Sequence, residues 1–536
     1  MEITDALFTP LGYTLLLAVA VLYFLWRNTK VPTYWKDKGV AYVKPLPLFG
    51  SLLEGIKKPM HELELERYNT HGAIYGHYEG ASTCLSVADP KILRKILVKD
   101  FQFFPDRRAL DTGDTITERM VQMLKGEDWK RVRTIITPTF TTGKIKRMMD
   151  IFKSCTKVLI KNFNQHAESG TSVNAKKLYG AFSMDVIASA AFSTKIDSHN
   201  DPNNKFVQIA RDVFQKDVNW RFIFYLLFPR LMKLFKVPVF PPEGVKFFTS
   251  VTLEIIKERE RTGQKGNDFL QLLIDTAKEQ NEELEALDKN DDILRNYEGE
   301  NNDQVFKNYV GKKNLTFNEL VAQCVIFFLA GFETTASTLA FSTYHLALNE
   351  EVQEKLIKEL DDALIKNDGK MTYEVIQNMK YLDNVISETL RISPPATRLE
   401  RKANEDYTLD DTGIIIPKGT VITVPVYALH KDPKYFPEPE KFDPDRFTPE
   451  EKAKREPFTF MPFGAGPRNC VGMRFALVEV KVCLAYVLSH FRIKRCPETK
   501  VPLDYYIGQG LLQPKEITVK LIQRKDSPLI DKIYNP

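Results

Sequence analysis

Helical-period apolar segments dominate the chain, and two of its runs are apolar on nearly every face. The first, Ala6 to Trp26 ("ALFTPLGYTLLLAVAVLYFLW"), carries no charge and is long enough to cross a hydrocarbon core of about 30 Å. Glu2 and Asp5 precede it while Arg27, Lys30, Lys36 and Lys38 follow, a bias that places the N-terminus on the luminal side and the rest in the cytosol. The basic cluster lies after the apolar run and no A-x-A-like site closes it, so residues 1–27 are expected to be an uncleaved anchor rather than a secretory signal. The second run, "LVAQCVIFFLAGFETTASTLAFSTYHLAL", is opened by a T-x-x-E capping box at Thr316 and Glu319 and reaches about Leu348. Apolar all round, it predicts a helix buried as a spine through the molecule. A third greasy stretch, Trp220 to Phe240, is broken by Pro229 and carries Arg221, Arg230, Lys233 and Lys236. It reads equally as a segment dipping into a membrane interface or as a pair of core helices.

Period-two patterns are fewer. "AIYGHYEG" and "TCLSVAD", near residues 73–89, predict a hairpin, and residues 407–426 predict further strands around turns. The fold class expected is therefore mainly α with a small β region. After the anchor, Pro45 and Pro47 stiffen a short extended segment before Gly50, so residues 28–50 read as a hinge and 51–536 as the body. Residues 278–314 are polar, acid-rich and poor in aromatics, the composition of a long surface connection. Charge changes the picture little: 75 basic and 70 acidic residues are interspersed, which leaves no nucleic-acid footprint. The six cysteines form no C-x-x-C pair, which argues against a disulfide framework and structural zinc.

One cysteine is dressed differently. In "FGAGPRNCVG", Gly464, Gly466 and Gly472 let the chain fold tightly around Cys470 and aim peptide N–H groups at its sulfur. A helical pattern begins at Met473, so the sulfur is expected at a helix N-terminus, where a thiol pKa falls. Nucleophile, metal ligand and redox switch are the three common uses of such a thiol, and the sequence identifies neither a base nor a resolving cysteine for it. Ligation by a single thiolate without a cluster of further protein ligands fits haem iron, with Arg468 able to pair with a propionate. In the spine helix, Ala330 and Gly331 leave a gap where something flat could lie close, and Glu333 and Thr334 put an acid and a hydroxyl beside it. For Thr334 alone a bond back to its own helix is the simpler reading; the neighbouring acid points toward proton chemistry.

These motifs together resemble the cytochrome P450 family of haem-thiolate monooxygenases. The match runs through F-x-x-G-x-R-x-C-x-G at Phe463, Gly466, Arg468, Cys470 and Gly472, "AGFETT" (330–335), "ETLR" (388–391), "FDPDRF" (442–447) and "WKRVR" (129–133), in the family's order. "PPATRLERKANED" and "GLLQP" look most like the clan-3 microsomal enzymes that oxidise drugs, steroids and other lipophilic compounds. The resemblance implies haem b between the long central helix and the cysteine loop, with Cys470 on the iron. Trp129, Arg133, Arg401 and Arg468 would hold the propionates, and Ala330, Phe463 and Gly472 would touch the macrocycle. Glu333 and Thr334 would relay protons on the opposite face, and Glu388, Arg391 and Arg446 would form a structural triad. It further implies a lipophilic substrate met by the loop Asp106–Met120, Ile326, Leu329, Ala330, Ala396, Leu399 and Leu511. Electrons would come from NADPH through a separate reductase, with cytochrome b5 as a further partner, at the endoplasmic reticulum membrane and its lipid. Lys130, Arg131, Lys144, Lys146 and Lys481 are candidate basic contacts for that reductase. An isomerase of the same family commonly loses the acid–alcohol pair, and a haem carrier needs no relay; both fit less well.

Overall fold

The computed structural model describes residues 33–278 and 315–530 apart from short gaps at 48, 81, 109–113, 202–203, 215–219, 236, 239–241, 267, 410–411 and 508–509. Of the run expected to be an anchor it describes 13–15, 18–19 and 21–23, which are helical, with Tyr13, Leu15, Val19, Leu22 and Tyr23 exposed. The rest of the anchor, the start of the hinge and nearly all of the 278–314 connection lie outside the described residues.

Helices make most of the body. The hairpin forms as read: β1 (Ile74–Glu79) and β2 (Ser82–Val87) pair antiparallel from Ile74↔Val87 to Glu79↔Ser82. Downstream come helices α1 (Gly126–Ile136), α2 (Met149–Ser169) and α3 (Ala175–Phe192). The third greasy stretch becomes two short helices, α4 (Trp220–Leu227) and α5 (Pro229–Leu234), that leave Phe222, Phe224, Leu231, Leu234 and Phe235 exposed. Leu226, Leu227 and Met232 of the same helices are buried, so the pair packs one face on the body and leaves the other exposed.

The spine is α6 (Phe317–Leu348), opened by the predicted capping box: Thr316 Oγ1 accepts from the Glu319 N–H and the Glu319 carboxylate accepts from the Thr316 N–H. Among the described residues it is the one helix long and apolar enough to cross a membrane, yet it is largely buried inside the protein. Its burial is not uniform. Ile326, Leu329, Ala330 and Thr334 are partly accessible, and 326, 330 and 334 share one helix face because they are spaced by four. Ala330 and Thr334 of that stripe face the cavities described below.

Helix α7 (Lys380–Ile392) carries the "ETLR" pair, and strands β3 (Leu399–Lys402) and β4 (Val421–Val424) complete a four-stranded sheet in the order β1-β2-β4-β3. β2 and β4 run parallel, while β4 and β3 run antiparallel with Glu400↔Thr423 and Arg401↔Ile422 opposed. Helix α8 (Met473–His490) closes the core, packing with α2, α6 and α7 into one apolar cluster that holds Phe152, Leu339, Ile386, Leu477 and Val480. The segment after the anchor is held to the sheet: the Val43 N–H donates to Gly76 O, and Gly50, at φ +59°, turns where a Cβ would sit 2.6 Å from the Tyr78 carbonyl oxygen.

Glu388 and Arg391 are completely buried and joined by two bonds of 2.7 and 2.8 Å. Arg391 also donates to the carbonyls of His430 and Lys441, while the Asp443 N–H donates to Glu388 and Arg446 Nε stands 3.4 Å from it. The pair thus ties α7 to the segment that leads into the cysteine loop. Removing one partner leaves a buried charge without compensation, so Arg391→Met should cost about 3–5 kcal/mol of stability. Chemical denaturation reads this as a lowered midpoint; an unchanged midpoint would show that the triad is not structural.

Candidate active site

Cys470 stands two residues before Gly472, the N-cap of α8. The loop behind it is closed by the Cys470 N–H donating to Phe463 O (2.9 Å) and the Asn469 N–H donating to Gly466 O (3.0 Å). Gly466 sits at φ +73°, and a Cβ there would lie 2.0 Å from the Leu97 carbonyl oxygen, so no side chain fits without moving the loop. The surface Cys470 exposes faces the cavity, and protein surrounds its other sides. Burial pushes the thiol above its ordinary value, against the Gly472 N–H, Arg133 and Arg107, which pull it down. The expectation of a lowered thiol pKa from the helix terminus is corrected here: desolvation outweighs the donors.

Helix α6 forms the facing wall. Cys470, Thr334, Thr335 and Ala476 line both of two adjoining cavities, of about 480 and 120 Å³. Phe463, Ala396 and Leu399 line the larger; Ala330, Gly331 and Gly472 line the smaller. Thr334 Oγ1 donates to Ala330 O at 2.7 Å, the bond back to its own helix, and its two lone pairs stay available as acceptors. Gly331 has a second reason to lack a side chain, because a Cβ would lie 2.8 Å from Ile187 Cδ1 on α3. The gap therefore admits a neighbouring helix as well as anything lying in the slot.

Glu333 points elsewhere. It is 1% exposed, lines neither cavity, and is bound to Lys176 Nζ of α3 and, at 3.0 Å, by Ser337 Oγ. Its Oε2 has no hydrogen-bond partner. Acid and hydroxyl are neighbours in sequence, but their side chains occupy different faces of α6.

One edge of the slot is cationic. Arg468 donates through Nε to Pro105 O (2.6 Å) and through Nη2 to Leu124 O (2.9 Å) and Asp106 Oδ1 (3.2 Å), with its guanidinium 4.1 Å from the Trp129 ring centroid. Arg401, 1% exposed, donates to Glu400 O and Ala465 O and leaves Nε unpartnered. Arg107 lines the larger cavity and donates to Arg468 O, and Arg133 donates to Asn469 Oδ1 at 2.7 Å, beside the sulfur. Burial lowers the pKa of Arg107, Arg401 and Arg468; mutual repulsion adds to this for the latter two, and Arg468 is pushed down to about 9. Asp106 is the one carboxylate that reaches Arg468 among its described partners. Such an edge calls for an anion, and a macrocycle with two carboxylates fits both the charge and the slot between Cys470 and α6. Arg107 was not among the individually predicted residues; in sequence it is half of an ordinary Arg-Arg pair, and only its burial against Arg468 sets it apart.

Of the other predicted contacts, Ile326 and Leu329 are half-buried against the apolar cluster beside α6 and line neither cavity, and Leu511 bridges to Ala396. Positions 109–113 of the Asp106–Met120 loop lie outside the described residues. Lys481 is buried in an ion pair with Asp383 on α7, so it cannot meet a partner protein. Lys130, Arg131 and Lys146 are each paired with carboxylates of this chain.

A mainly helical body whose cavity has one thiol wall, one hydroxyl-bearing helix and an arginine edge defines the class of haem-thiolate proteins. Comparison with known proteins agrees: the Cytochrome P450 family model matches residues 41–521, and the chain belongs to that family. It is 37% identical to cytochrome P450 3A5 of Homo sapiens over 521 residues, covering 96% of this chain and 97% of that one. Cytochrome P450 3A13 of Mus musculus and cytochrome P450 3A29 of Sus scrofa are also 37% identical, over 520 and 525 residues, each covering 96% of this chain and 97% of the relative. The protein is a monooxygenase that uses haem b and takes electrons from NADPH by way of a reductase.

Losing two charged donors from the arginine edge should weaken haem retention. For Arg107→Leu/Arg401→Leu, transfer of haem to a scavenger protein should run about a hundredfold faster, the scale of two charge-assisted bonds. A wild-type rate would mean that these side chains hold nothing.

Proposed function

We propose that this protein is a membrane-bound haem-thiolate monooxygenase that inserts one oxygen atom into lipophilic small molecules, xenobiotics and steroids among them, at the endoplasmic reticulum. One observation carries the reading: Cys470 and Thr334 line the same cavities from opposite walls, with a predominantly apolar lining between them and an arginine edge. Thiolate-bound haem supplies dioxygen activation when it is present.

The chain's own residues divide the remaining work. Cys470 is the iron ligand, and the Gly472 N–H directed at its sulfur together with the Gly466 turn fixes where that sulfur stands. Arg107, Arg401 and Arg468 hold the carboxylates of the macrocycle; Trp129 backs Arg468, and Arg133 fixes Asn469 next to the ligand. Phe463, Ala330 and Gly472 wall the slot.

Thr334 Oγ1 turns its lone pairs to the substrate side, where it accepts a proton-bearing partner, while its own proton is donated to Ala330 O. Glu333 supplies the exchangeable proton behind it, and because its carboxylate is turned to Lys176 and Ser337, it serves Thr334 only when the Lys176 contact opens. The retained acid and alcohol favour oxygen insertion over isomerisation.

The apolar run at 6–26 anchors the chain with its N-terminus luminal, and the exposed Phe222, Phe224, Leu231, Leu234 and Phe235 on α4, α5 and the residue that follows them dip into the same membrane. The catalytic body then lies in the cytosol with its reductase, and cytochrome b5 is a second electron donor.

The test is reconstitution with reductase, NADPH and a panel of lipophilic compounds, read by mass spectrometry for a gain of one oxygen. Wild type should give oxygenated product, and Thr334→Ala should consume NADPH while releasing peroxide in place of most of it. Full coupling in the variant would remove Thr334 from the relay; no product across a broad lipophilic panel would overturn the substrate class.

A further inference from the structure

Beside the arginine edge, the larger cavity has a second polar wall that the oxygen chemistry does not use. Arg108, Arg398 and Glu400 all line it, and behind them stand Glu79 and Glu64. Arg108 contacts Glu79 at 2.6 Å and Glu400 at 3.3 Å. Arg398 contacts Glu79 at 2.7 Å, Glu400 at 2.7 Å and Glu64 at 3.5 Å. Burial opposes the charge on Arg398, yet these carboxylates raise it well above its ordinary value. Burial likewise opposes the charge on Glu79, and the two arginines hold it well below the usual carboxylate range.

The asymmetry lies at Glu400. Both arginines donate to the same oxygen, Oε1, and no described residue donates to Oε2. The side chain is 29% exposed, whereas Arg108, Arg398 and Glu79 are each 9–11% exposed, so of the three members that line the cavity Glu400 is the most open to it. Its neighbour Arg401 projects from the opposite face of β3 and donates to Ala465 of the cysteine loop. The haem-facing and the Glu400-facing sides of the strand are thus separate, and a carboxylate oxygen is fixed in place with an unused acceptor position toward the cavity.

We infer that Glu400 is a specificity-determining residue whose Oε2 accepts a hydrogen bond from a hydroxyl or N–H group on an otherwise apolar substrate. The inference rests on the monooxygenase reading of this cavity and adds the polar feature that reading leaves open. Arg108 and Arg398 act as positioning residues: by both holding Oε1 they keep the carboxylate from rotating its free oxygen away. The two guanidiniums face three carboxylates, Glu79, Glu400 and Glu64, and Arg67 is the further cation beside Glu64. A substrate without a donor leaves Oε2 desolvated and unpaired, which is the physical basis of the discrimination.

The substitution Glu400→Gln gives a sharp test, because the arginines can donate only to the amide oxygen. That oxygen must take the Oε1 place, and the amide NH2 must face the cavity, so the recognition should invert. The probes are a matched pair of apolar ligands, an alcohol and its methyl ether, titrated into the full-length holoprotein and followed by the haem spin-state shift on binding. Wild type should bind the alcohol about tenfold more tightly than the ether, and Glu400→Gln should bind the ether at least as tightly as the alcohol. An equal preference for the alcohol in both proteins would overturn the inference. So would the absence of any preference in wild type. The carbon monoxide spectrum of the same reduced samples is recorded alongside: a thiolate-type Soret band with an unchanged ligand preference refutes the Glu400 role alone, whereas loss of that band in wild type refutes the haem-thiolate reading itself. Should Glu400→Gln fail to hold haem, Glu400→Asp, which keeps the charge and withdraws the free oxygen by one methylene, should lower the alcohol preference without inverting it; a preference retained in full would again overturn the role.

Discussion

Three buried guanidinium groups, Arg107 lining the larger cavity with Arg401 and Arg468 behind it, and Asp106 pairing with Arg468 alone, set the terms for the rest of this structure. Burial lowers the proton affinity of all three, repulsion from Arg107 lowers that of Arg401 and Arg468 further, and together they make the slot costly until an anion arrives. They come from three distant parts of the chain: the segment before α1, strand β3 and the cysteine loop itself. Their convergence is what the sheet and the loop must enforce. Gly466 against the Leu97 carbonyl holds the loop to the segment just before Arg107, and the β3–β4 pairing sets Arg401 over Ala465. A site that repels itself when empty favours binding of a dianionic partner, and the same edge then orients what it binds.

The thiol and the hydroxyl depend on that arrangement differently. Cys470 is controlled by backbone: a closed loop, a glycine that permits the turn and one peptide N–H on the sulfur. Thr334 is controlled by helix geometry, since an otherwise buried α6 exposes a stripe every four residues where α3 and α8 leave room. The buried Glu388–Arg391 pair binds α7 to the chain leading into the cysteine loop, which joins the two walls through the core. A third control acts at Glu400, where two arginines on one oxygen leave the other for the substrate.

Features governed by local pattern were legible from residues alone. The capping box at Thr316 and Glu319, the hairpin at 74–87, the strands at 407–424 and helix α8 all follow from short-range periodicity and turn chemistry. Motif spacing located Cys470, Arg468 and the "ETLR" pair. What failed to show was whatever depends on which face a side chain turns to. Glu333 sits beside Thr334 in sequence but pairs with Lys176, and Lys481, written as a surface charge, is buried against Asp383. Gly331 is small partly because Ile187 needs the space. Arg107 and the Arg108–Arg398–Glu400 cluster assemble across the sheet from residues hundreds of positions apart, and no one-dimensional pattern marks such a meeting.

The central claim is a bond between the Cys470 sulfur and haem iron. Resonance Raman spectra of the ferric holoprotein, prepared with natural and with heavy-isotope sulfur in cysteine, test it most directly. The account predicts an iron–sulfur stretching mode that shifts to lower frequency with the heavier sulfur and is lost in Cys470→His. A spectrum with no sulfur-sensitive mode, or one in which the mode survives that substitution, would contradict it.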